Sequence, residues 1–143
     1  MATDRRADVV WQGSLMEGSG TIVSTTSGKL GEQAVSWPNR SEDNPSATSP
    51  EELIAAAHAS CFSMALSAGL ARAGNPPDEL RTSATVTFQP GEGITRIALT
   101  VEGAVPGLDQ AAFAEAANGA KANCPVSKAL AGVPEITLEA RLR

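Results

Sequence analysis

One segment limits the possible folds of this chain more than any other segment does: residues 49–70, SPEELIAAAHASCFSMALSAGL. From residue 53 to residue 70 it contains no Asp, Glu, Lys or Arg, and no polar face recurs at helical spacing, so it is typical of a buried helix. Ser49 can cap the N-terminus, Pro50 suits the first turn, and Glu52 follows the cap as in a capping box. We therefore predict a long buried central helix that begins at Pro50.

Cys61 lies in the middle of this segment. Helical spacing places it on one stripe with Ile54, Ala57, Met64, Ala65 and Ala68, whereas Phe62, Leu66 and Leu70 form a second stripe that faces elsewhere. Free cysteines are among the most buried residues, and they usually behave as small hydrophobic side chains. Position alone therefore favours a structural role for Cys61, deep in a core or an interface.

Length and charge exclude several classes of protein. A chain of 143 residues fits one domain, residues 1–143, and can bury a core without metals or disulfides. Its formal net charge of -5 argues against a nucleic-acid partner, because such modules carry clustered Lys and Arg. Two cysteines are too few for a secreted disulfide framework, and no stretch reads as a signal peptide or a membrane span. We expect a soluble cytoplasmic protein that has no membrane partner.

The rest of the chain predicts an α+β fold with mainly antiparallel sheets. Residues 38–49, PNRSEDNPSATS, are predicted to form a polar loop, and residues 108–123 a second helix capped by Asp109. Alternating runs bounded by glycine and proline predict strands at residues 8–12, 20–25, 33–37, 79–88, 94–105 and 134–143. Trp11 and Trp37 are expected to pack the first of the resulting sheets.

Cys124 stands between the end of the second predicted helix and Pro125, which suits the first position of a new helical turn. We expect Cys124 to be the N-cap of that turn. The positive end of a helix dipole lowers the pKa of a thiol. The alternative is that Cys124 and Pro125 form only a packed turn.

His58 precedes Cys61 by three residues, so the two can be neighbours on the helix surface. A cysteine hydrolase is one interpretation of the pair, but no third orienting group or GxSxG motif accompanies it. A metal site made of His58, Cys61 and Cys124 is a weaker alternative, because the sequence has no C-x-x-C or HExxH spacing. The default expectation for His58 is a packed helix residue.

Two strings together make the chain recognisable. PEELIAAAHASCFSMAL, followed 63 residues after its cysteine by the cysteine of NCPVSKAL, resembles the OsmC/Ohr family of thiol-dependent hydroperoxide reductases, and its OsmC branch in particular. VVWQGSLMEGSGTIVST, TRIALTVEGAVPGLD and EITLEARLR resemble that branch in the same order. The resemblance implies an OsmC-like fold, an intertwined homodimer and a role in the stress response.

The resemblance also implies roles for four residues. Cys61 corresponds to the peroxidatic cysteine and Cys124 to the resolving cysteine, which forms a redox-active disulfide with it. Glu51, directly after the proline of PEEL, and Arg40, within WPNRSED, correspond to the pair that activates the thiol, with Glu51 holding the guanidinium in a bidentate pair. No cofactor is implied. The implied partners are an organic hydroperoxide and a dithiol reductant that is a small molecule or a lipoylated protein. The apolar residues near Cys61 in sequence, Ile54, Phe62 and Met64, favour an organic hydroperoxide over hydrogen peroxide.

Helix geometry adds a condition to these roles. Glu51 and Cys61 are ten residues apart, which is about 15 Å along one helix. If both act on one peroxide, the glutamate must come from a second copy of the helix, across a two-fold interface. The alternative to the enzyme is a non-catalytic stress or ligand-binding protein on the same fold, in which both cysteines are core residues.

Overall fold

The computed structural model describes residues 1–43 and 46–143. These residues form two compact units, Met1–Leu53 and Ile54–Arg143. The single domain over residues 1–143 stays a prediction.

The first unit contains an antiparallel sheet of three strands, as the sequence predicts. β1 spans Ala7–Gln12, β2 spans Ser19–Thr25 and β3 spans Gln33–Val35, in the order β1-β2-β3. Each strand follows its neighbour through a short glycine-containing connection, so the sheet is a simple meander.

Gly20 is needed in the middle strand of this sheet. It pairs with Trp11 on one side and with Val35 on the other. A Cβ at this position would lie 2.8 Å from Cε3 of Trp11 and 2.9 Å from Cγ2 of Val35. The indole ring of Trp11 can lie over β2 only because residue 20 has no side chain.

A short helix, α1, spans Trp37–Ser41, where the sequence analysis predicted the end of a strand and a loop. That part of the prediction is wrong because the cap was overlooked: Ser36 accepts a hydrogen bond from the backbone N–H of Asn39, and Pro38 suits the first turn. Residues 42, 43 and 46–49 remain outside helices and extended strands, and residues 44 and 45 of the predicted loop lie outside the described residues.

The long helix α2 spans Pro50–Arg72 and begins where the sequence predicts. Ser49 Oγ accepts a hydrogen bond from the backbone N–H of Glu52 at 3.1 Å, which confirms the N-cap. The glutamate does not close the capping box, because its carboxylate instead accepts a hydrogen bond from the hydroxyl of Thr48 at 3.1 Å.

α2 is buried on one face rather than all round. His58, Phe62, Leu66 and Leu70 recur every four residues and are all buried. The stripe that contains Cys61 is more open: Met64 is 72% exposed in the single chain, and Ala57 and Ala68 are also exposed. In the single chain, α2 therefore has one buried face and one open face, and whether the stripe that contains Cys61 lies in a core or in an interface stays a prediction.

By length and composition alone, α2 could cross a membrane. One such helix is weak evidence, since a core helix of a soluble protein passes the same test. The side chains of Phe62, Leu66 and Leu70 belong to a protein core, so we interpret α2 as a core helix.

The second unit contains a three-stranded sheet, in which β5 is central. β4 spans Glu79–Gln89, β5 spans Gly93–Ala104 and β6 spans Glu135–Leu142. β4 and β5 form the predicted antiparallel hairpin, whereas β6 is parallel to β5. A parallel pair needs a long crossover, and here the crossover contains the helices α3, Gln110–Asn123, and α4, Pro125–Ala129.

The core of this unit lies between the helices and one face of its sheet. Asp109 caps α3 as predicted, accepting a hydrogen bond from the backbone N–H of Ala112 at 2.8 Å. The buried apolar residues are contributed by α2, by alternate positions of β5, by α3 and by the residues that directly follow β5 and α3: Phe62, Leu66, Leu70, Ile97, Leu99, Val101, Val105, Phe113, Ala117, Ala120 and Cys124.

Candidate functional site

Cys61 and Cys124 lie side by side in the second unit. Cys61 is on α2, and Cys124 is the residue that links α3 to α4. Both are free thiols, and they are close enough for each to shift the pKa of the other. Cys61 is half-buried and Cys124 is fully buried. A small oxidant can therefore reach Cys61 more easily than Cys124.

The two thiols differ in acidity. Burial raises the pKa of Cys61, and the adjacent Cys124 raises it further. Burial also opposes ionisation of Cys124, but hydrogen bonds from Cys61, from Ser127 and from the backbone of Val126 outweigh it, so the pKa of Cys124 is lowered. The lowering agrees with its predicted place at a helix N-terminus.

Cys124 is the N-cap of α4, as predicted, but its side chain makes no capping hydrogen bond of standard geometry. The sulfur is nevertheless near the N–H groups of Val126 and Ser127 in the first turn, and these contacts favour the thiolate. In the single chain, burial therefore disfavours the thiolate of Cys61, whereas the neighbouring donors favour that of Cys124.

His58 lies fully buried one turn before Cys61 on α2. Its Nε2 is 2.7 Å from Oγ of Ser127, which is also buried. Burial lowers the pKa of His58, so the ring is neutral at physiological pH. The hydrogen bond joins His58 to Ser127 and gives no support to a hydrolase in which His58 activates Cys61.

Arg40 and Glu51 form an ion pair in the first unit. Nε of Arg40, in the last turn of α1, donates to Oε1 of Glu51 at 2.9 Å. Glu51 is in the first turn of α2 and is buried, with 8% of its side chain exposed, whereas the Arg40 side chain is 35% exposed. Oε2 of Glu51 has no hydrogen-bond partner among the described residues, so the predicted bidentate pair is a single contact there.

An apolar cavity of about 200 Å³ lies next to Arg40 in the first unit. Its walls are mostly hydrophobic side chains, with the guanidinium-bearing residue among them, and comprise Trp11, Leu15, Val35, Ser36, Trp37, Arg40 and Pro50. A cavity of this kind can hold a small apolar group beside a permanent cation. Trp11 and Trp37 therefore line a cavity, in addition to the packing role expected for them.

The structure thus brings the four predicted residues together as two pairs, Cys61 with Cys124 and Arg40 with Glu51. Ser127 was missed by the sequence analysis. Its position in the sequence could have identified it: Ser127 is three residues after the cap, where a hydroxyl in the first turn can face the capping side chain.

The cavity residue Trp37 was also assigned too simple a role. Trp37 and Arg40 are three residues apart, which places both on the same side of a helical turn. The prediction of a loop over residues 38–49 obscured this signal. Within residues 1–43 and 46–143, no group of three or more His, Cys, Asp or Glu side chains could hold a metal ion.

Comparison with known proteins identifies the family of this chain. Residues 42–139 match the family model described as OsmC-like protein. The chain is 44% identical over 146 aligned residues to Peroxiredoxin OsmC of Escherichia coli K12, with 100% of this chain and 99% of that protein covered. Peroxiredoxin OsmC of Shigella flexneri matches equally well.

Solved structures share the fold. The crystal structure of an organic hydroperoxide resistance protein from Elizabethkingia anophelis superposes with a TM-score of 0.72 at 23% identity, covering 100% of both chains. The organic hydroperoxide resistance protein OhrB of Bacillus subtilis superposes with a TM-score of 0.64 at 26% identity, covering 96% of this chain and 98% of OhrB. The chain therefore belongs to the OsmC family of cysteine-based peroxidases.

Proposed function

We propose that this protein reduces organic hydroperoxides, and hydrogen peroxide less well, through Cys61 and Cys124. The observation that carries the proposal is the contact between the two thiols, one half-buried and one fully buried. This is the arrangement that a peroxidatic thiol and its resolving partner require, because the oxidised sulfur must be reachable by the second thiol.

The chemistry proceeds in three balanced steps. The Cys61 thiolate attacks the distal oxygen of the hydroperoxide, so an S–O bond forms, the O–O bond breaks, and the alkoxide leaves and takes up a proton as the alcohol. Cys124 then attacks the sulfur of the sulfenic acid, which forms the disulfide and releases water. A dithiol, either a small molecule or a lipoylated protein, reduces the disulfide and becomes a disulfide itself.

The first step needs a cation near Cys61, since burial and Cys124 raise the pKa of the Cys61 thiol in the single chain. Arg40 is the residue we assign to this task, held by Glu51. α2 is continuous from Pro50 to Arg72, so Glu51 and the thiol are separated by about 15 Å of helix. We therefore propose that the partner's Arg40 and the partner's Glu51 complete the site in a homodimer.

Two exposed surfaces support the dimer. On α2, the stripe that contains Cys61 leaves Met64 exposed. The first unit exposes an unusual number of large apolar side chains, namely Val9, Val10, Trp11, Leu15, Met16, Val23 and Leu30. Exposed apolar surface of this extent is typical of a contact with another chain.

The preference for an organic hydroperoxide follows from the cavity beside Arg40. Its walls are mostly apolar, and about 200 Å³ is ample room for a small alkyl or aryl group. An alkyl group would gain free energy by leaving water for such a cavity, whereas hydrogen peroxide has no group to bury. We place the enzyme in the cytoplasm, where thiol reductants are available.

Free-thiol titration after treatment with cumene hydroperoxide tests this function. We expect the reduced protein to lose two thiols per chain, and Cys61→Ser to retain its remaining thiol. Cys124→Ser should form a sulfenic acid that dimedone traps at Cys61, and excess peroxide should oxidise it further. Retention of both thiols in the parent protein would contradict the proposal and favour the non-catalytic alternative. Ester turnover without oxidant would favour the hydrolase.

A further inference from the structure

A buried polar pair lies directly behind the two thiols. Nε2 of His58 and Oγ of Ser127 are 2.7 Å apart, and both side chains are inside the core of the second unit. His58 is one turn before Cys61 on α2, and Ser127 is in the first turn of the helix that Cys124 caps. The pair therefore touches both elements that carry the reacting sulfurs.

A second feature concerns the hydrogen positions in this pair. Nδ1 of His58 is buried and has no hydrogen-bond partner among the described side chains and backbone groups. A neutral imidazole carries one hydrogen, on either nitrogen. If the hydrogen were on Nδ1, a buried N–H would have no acceptor, and the Ser127 hydroxyl would be occupied in donating to Nε2. With the hydrogen on Nε2, the ring donates to Ser127 and frees the hydroxyl to donate elsewhere.

We propose that His58 and Ser127 are positioning residues for the resolving cysteine: His58 Nε2–H donates to Ser127 Oγ, and the hydroxyl hydrogen of Ser127 points at the sulfur of Cys124. The proposal rests on the proposed function and deepens it. It assigns a task to two buried polar residues that the peroxide-reducing step does not use.

The effect falls on the second chemical step. Cys124 attacks the sulfur of the Cys61 sulfenic acid, forming the S–S bond and breaking the S–O bond, and the departing hydroxide takes up the proton that Cys124 has lost, as water. A hydroxyl that donates to the Cys124 sulfur favours the thiolate that makes this attack. It also holds the sulfur at the start of α4, facing α2.

The other titratable group that faces this sulfur is Cys61, from α2. The first experiment removes that thiol: in a Cys61→Ser background, the thiolate of Cys124 is titrated by its ultraviolet absorbance. We expect Ser127→Ala and His58→Phe each to raise the pKa of Cys124, by roughly one unit for Ser127→Ala, which is a tenfold change in thiolate at a given pH below it. Ser127→Thr and His58→Gln retain the donors and should titrate like their parent.

Ser63→Ala is the matched control. Ser63 is two residues after Cys61 on α2, and its hydroxyl contacts Thr82 at 2.8 Å. We expect this variant to titrate like its parent. A Cys124 pKa unchanged in Ser127→Ala or in His58→Phe would overturn the task assigned to that residue, as would an equal shift in Ser63→Ala. His58→Phe tests the proposal independently through the pKa of Cys124. The proposal therefore stays testable even if Ser127→Ala folds poorly.

The second experiment uses the two-cysteine protein in a single turnover with cumene hydroperoxide, with dimedone as the trap. We expect Ser127→Ala to form sulfenic acid at Cys61 as fast as the parent, and to form the disulfide roughly three- to fourfold more slowly, because a less acidic thiol gives less thiolate but a more nucleophilic one. Equal rates of disulfide formation would overturn the proposal. An absence of sulfenic acid in Cys124→Ser would instead contradict the peroxidase function, while the titration still reports on the Ser127 contact.

Discussion

Nε of Arg40 donates to Oε1 of Glu51 across 2.9 Å, and the acceptor is the more buried of the two side chains. Glu51 also lies in the first turn of α2, where the positive end of the helix dipole favours a carboxylate. Two features therefore stabilise the negative charge of a carboxylate at this buried position. The guanidinium is held in turn, and Arg40 is among the residues that line the apolar cavity.

Replacement of Arg40 by Met should weaken both stability and activity. Glu51 would be left buried without its cation, which should lower the free energy of unfolding by about 1–3 kcal/mol. Loss of the fixed positive charge should slow peroxide reduction roughly 10²-fold. Urea unfolding and initial rates with cumene hydroperoxide measure the two effects.

Arg40→Lys is the matched variant for this experiment. Lysine keeps the charge but not the planar geometry of the guanidinium, so we expect stability close to the parent and an intermediate rate. A rate for Arg40→Met equal to that of the parent would exclude Arg40 from thiol activation and leave the ion pair a structural role.

A second prediction concerns the cavity. Leu15 lines it and is 55% exposed in the single chain, so Leu15→Ser should change the cavity without disturbing a core. We expect KM for cumene hydroperoxide to rise roughly tenfold, because somewhat under two buried methylene equivalents are lost, and the rate with hydrogen peroxide to stay unchanged. Steady-state kinetics with both peroxides measure the difference.

Leu30→Ser is the control for Leu15→Ser. Leu30 is 47% exposed, belongs to the same unit and does not line the cavity. It should leave both KM values unchanged. Equal changes in the two variants, or an equal loss with hydrogen peroxide, would show that the cavity does not select the substrate.

Elements with local signals were predictable from the sequence. Ser49 and Asp109 cap helices where predicted, since a cap depends on residues three or four positions apart. The hairpin of β4 and β5 followed from alternation and a glycine-rich turn. The same kind of signal was present at Ser36 but was missed, because the polar stretch after it favoured a loop.

Relationships between distant residues were not predictable in this way. His58 and Ser127 are 69 residues apart, and nothing local in either segment indicates the other. The parallel pairing of β6 with β5 depends on how the intervening helices cross the sheet, which alternation alone does not determine. An apolar sequence also does not distinguish burial within one chain from burial against a second chain, so it did not determine that Met64 is exposed in the single chain.

A third prediction compares two glycines. A Cβ at Gly103, in β5, would lie 2.5 Å from Cζ of the buried Phe113, so Gly103→Ala should lower the free energy of unfolding by about 1–3 kcal/mol. At Gly119, within α3, nothing lies within 4 Å of an added Cβ. Gly119→Ala should therefore raise the free energy of unfolding by about 0.5–1 kcal/mol. Changes of the same sign in urea unfolding would contradict this reading of the core.

The last prediction is a pH dependence of stability that comes from the single histidine of the chain. Burial lowers the pKa of His58 below its ordinary value of 6.5, so the folded protein keeps the ring neutral while the unfolded chain begins to bind a proton near pH 6.5. Because the unfolded state then binds more protons, the free energy of unfolding should fall as pH decreases below about 6.5, by at most about 1.4 kcal/mol per pH unit.

Between about pH 6.5 and 5, this effect can be separated from those of carboxylates. The pKa values of Glu79 and Glu102 are lowered by hydrogen bonds to arginines, so these carboxylates lose their charge only at more acidic pH. His58→Gln retains a side-chain donor and cannot titrate. Urea unfolding at a fixed protein concentration should therefore give a steeper pH dependence for the parent than for His58→Gln in this range. Equal slopes would mean that His58 is protonated as readily in the folded protein as in the unfolded chain, which would contradict its burial as a neutral donor to Ser127.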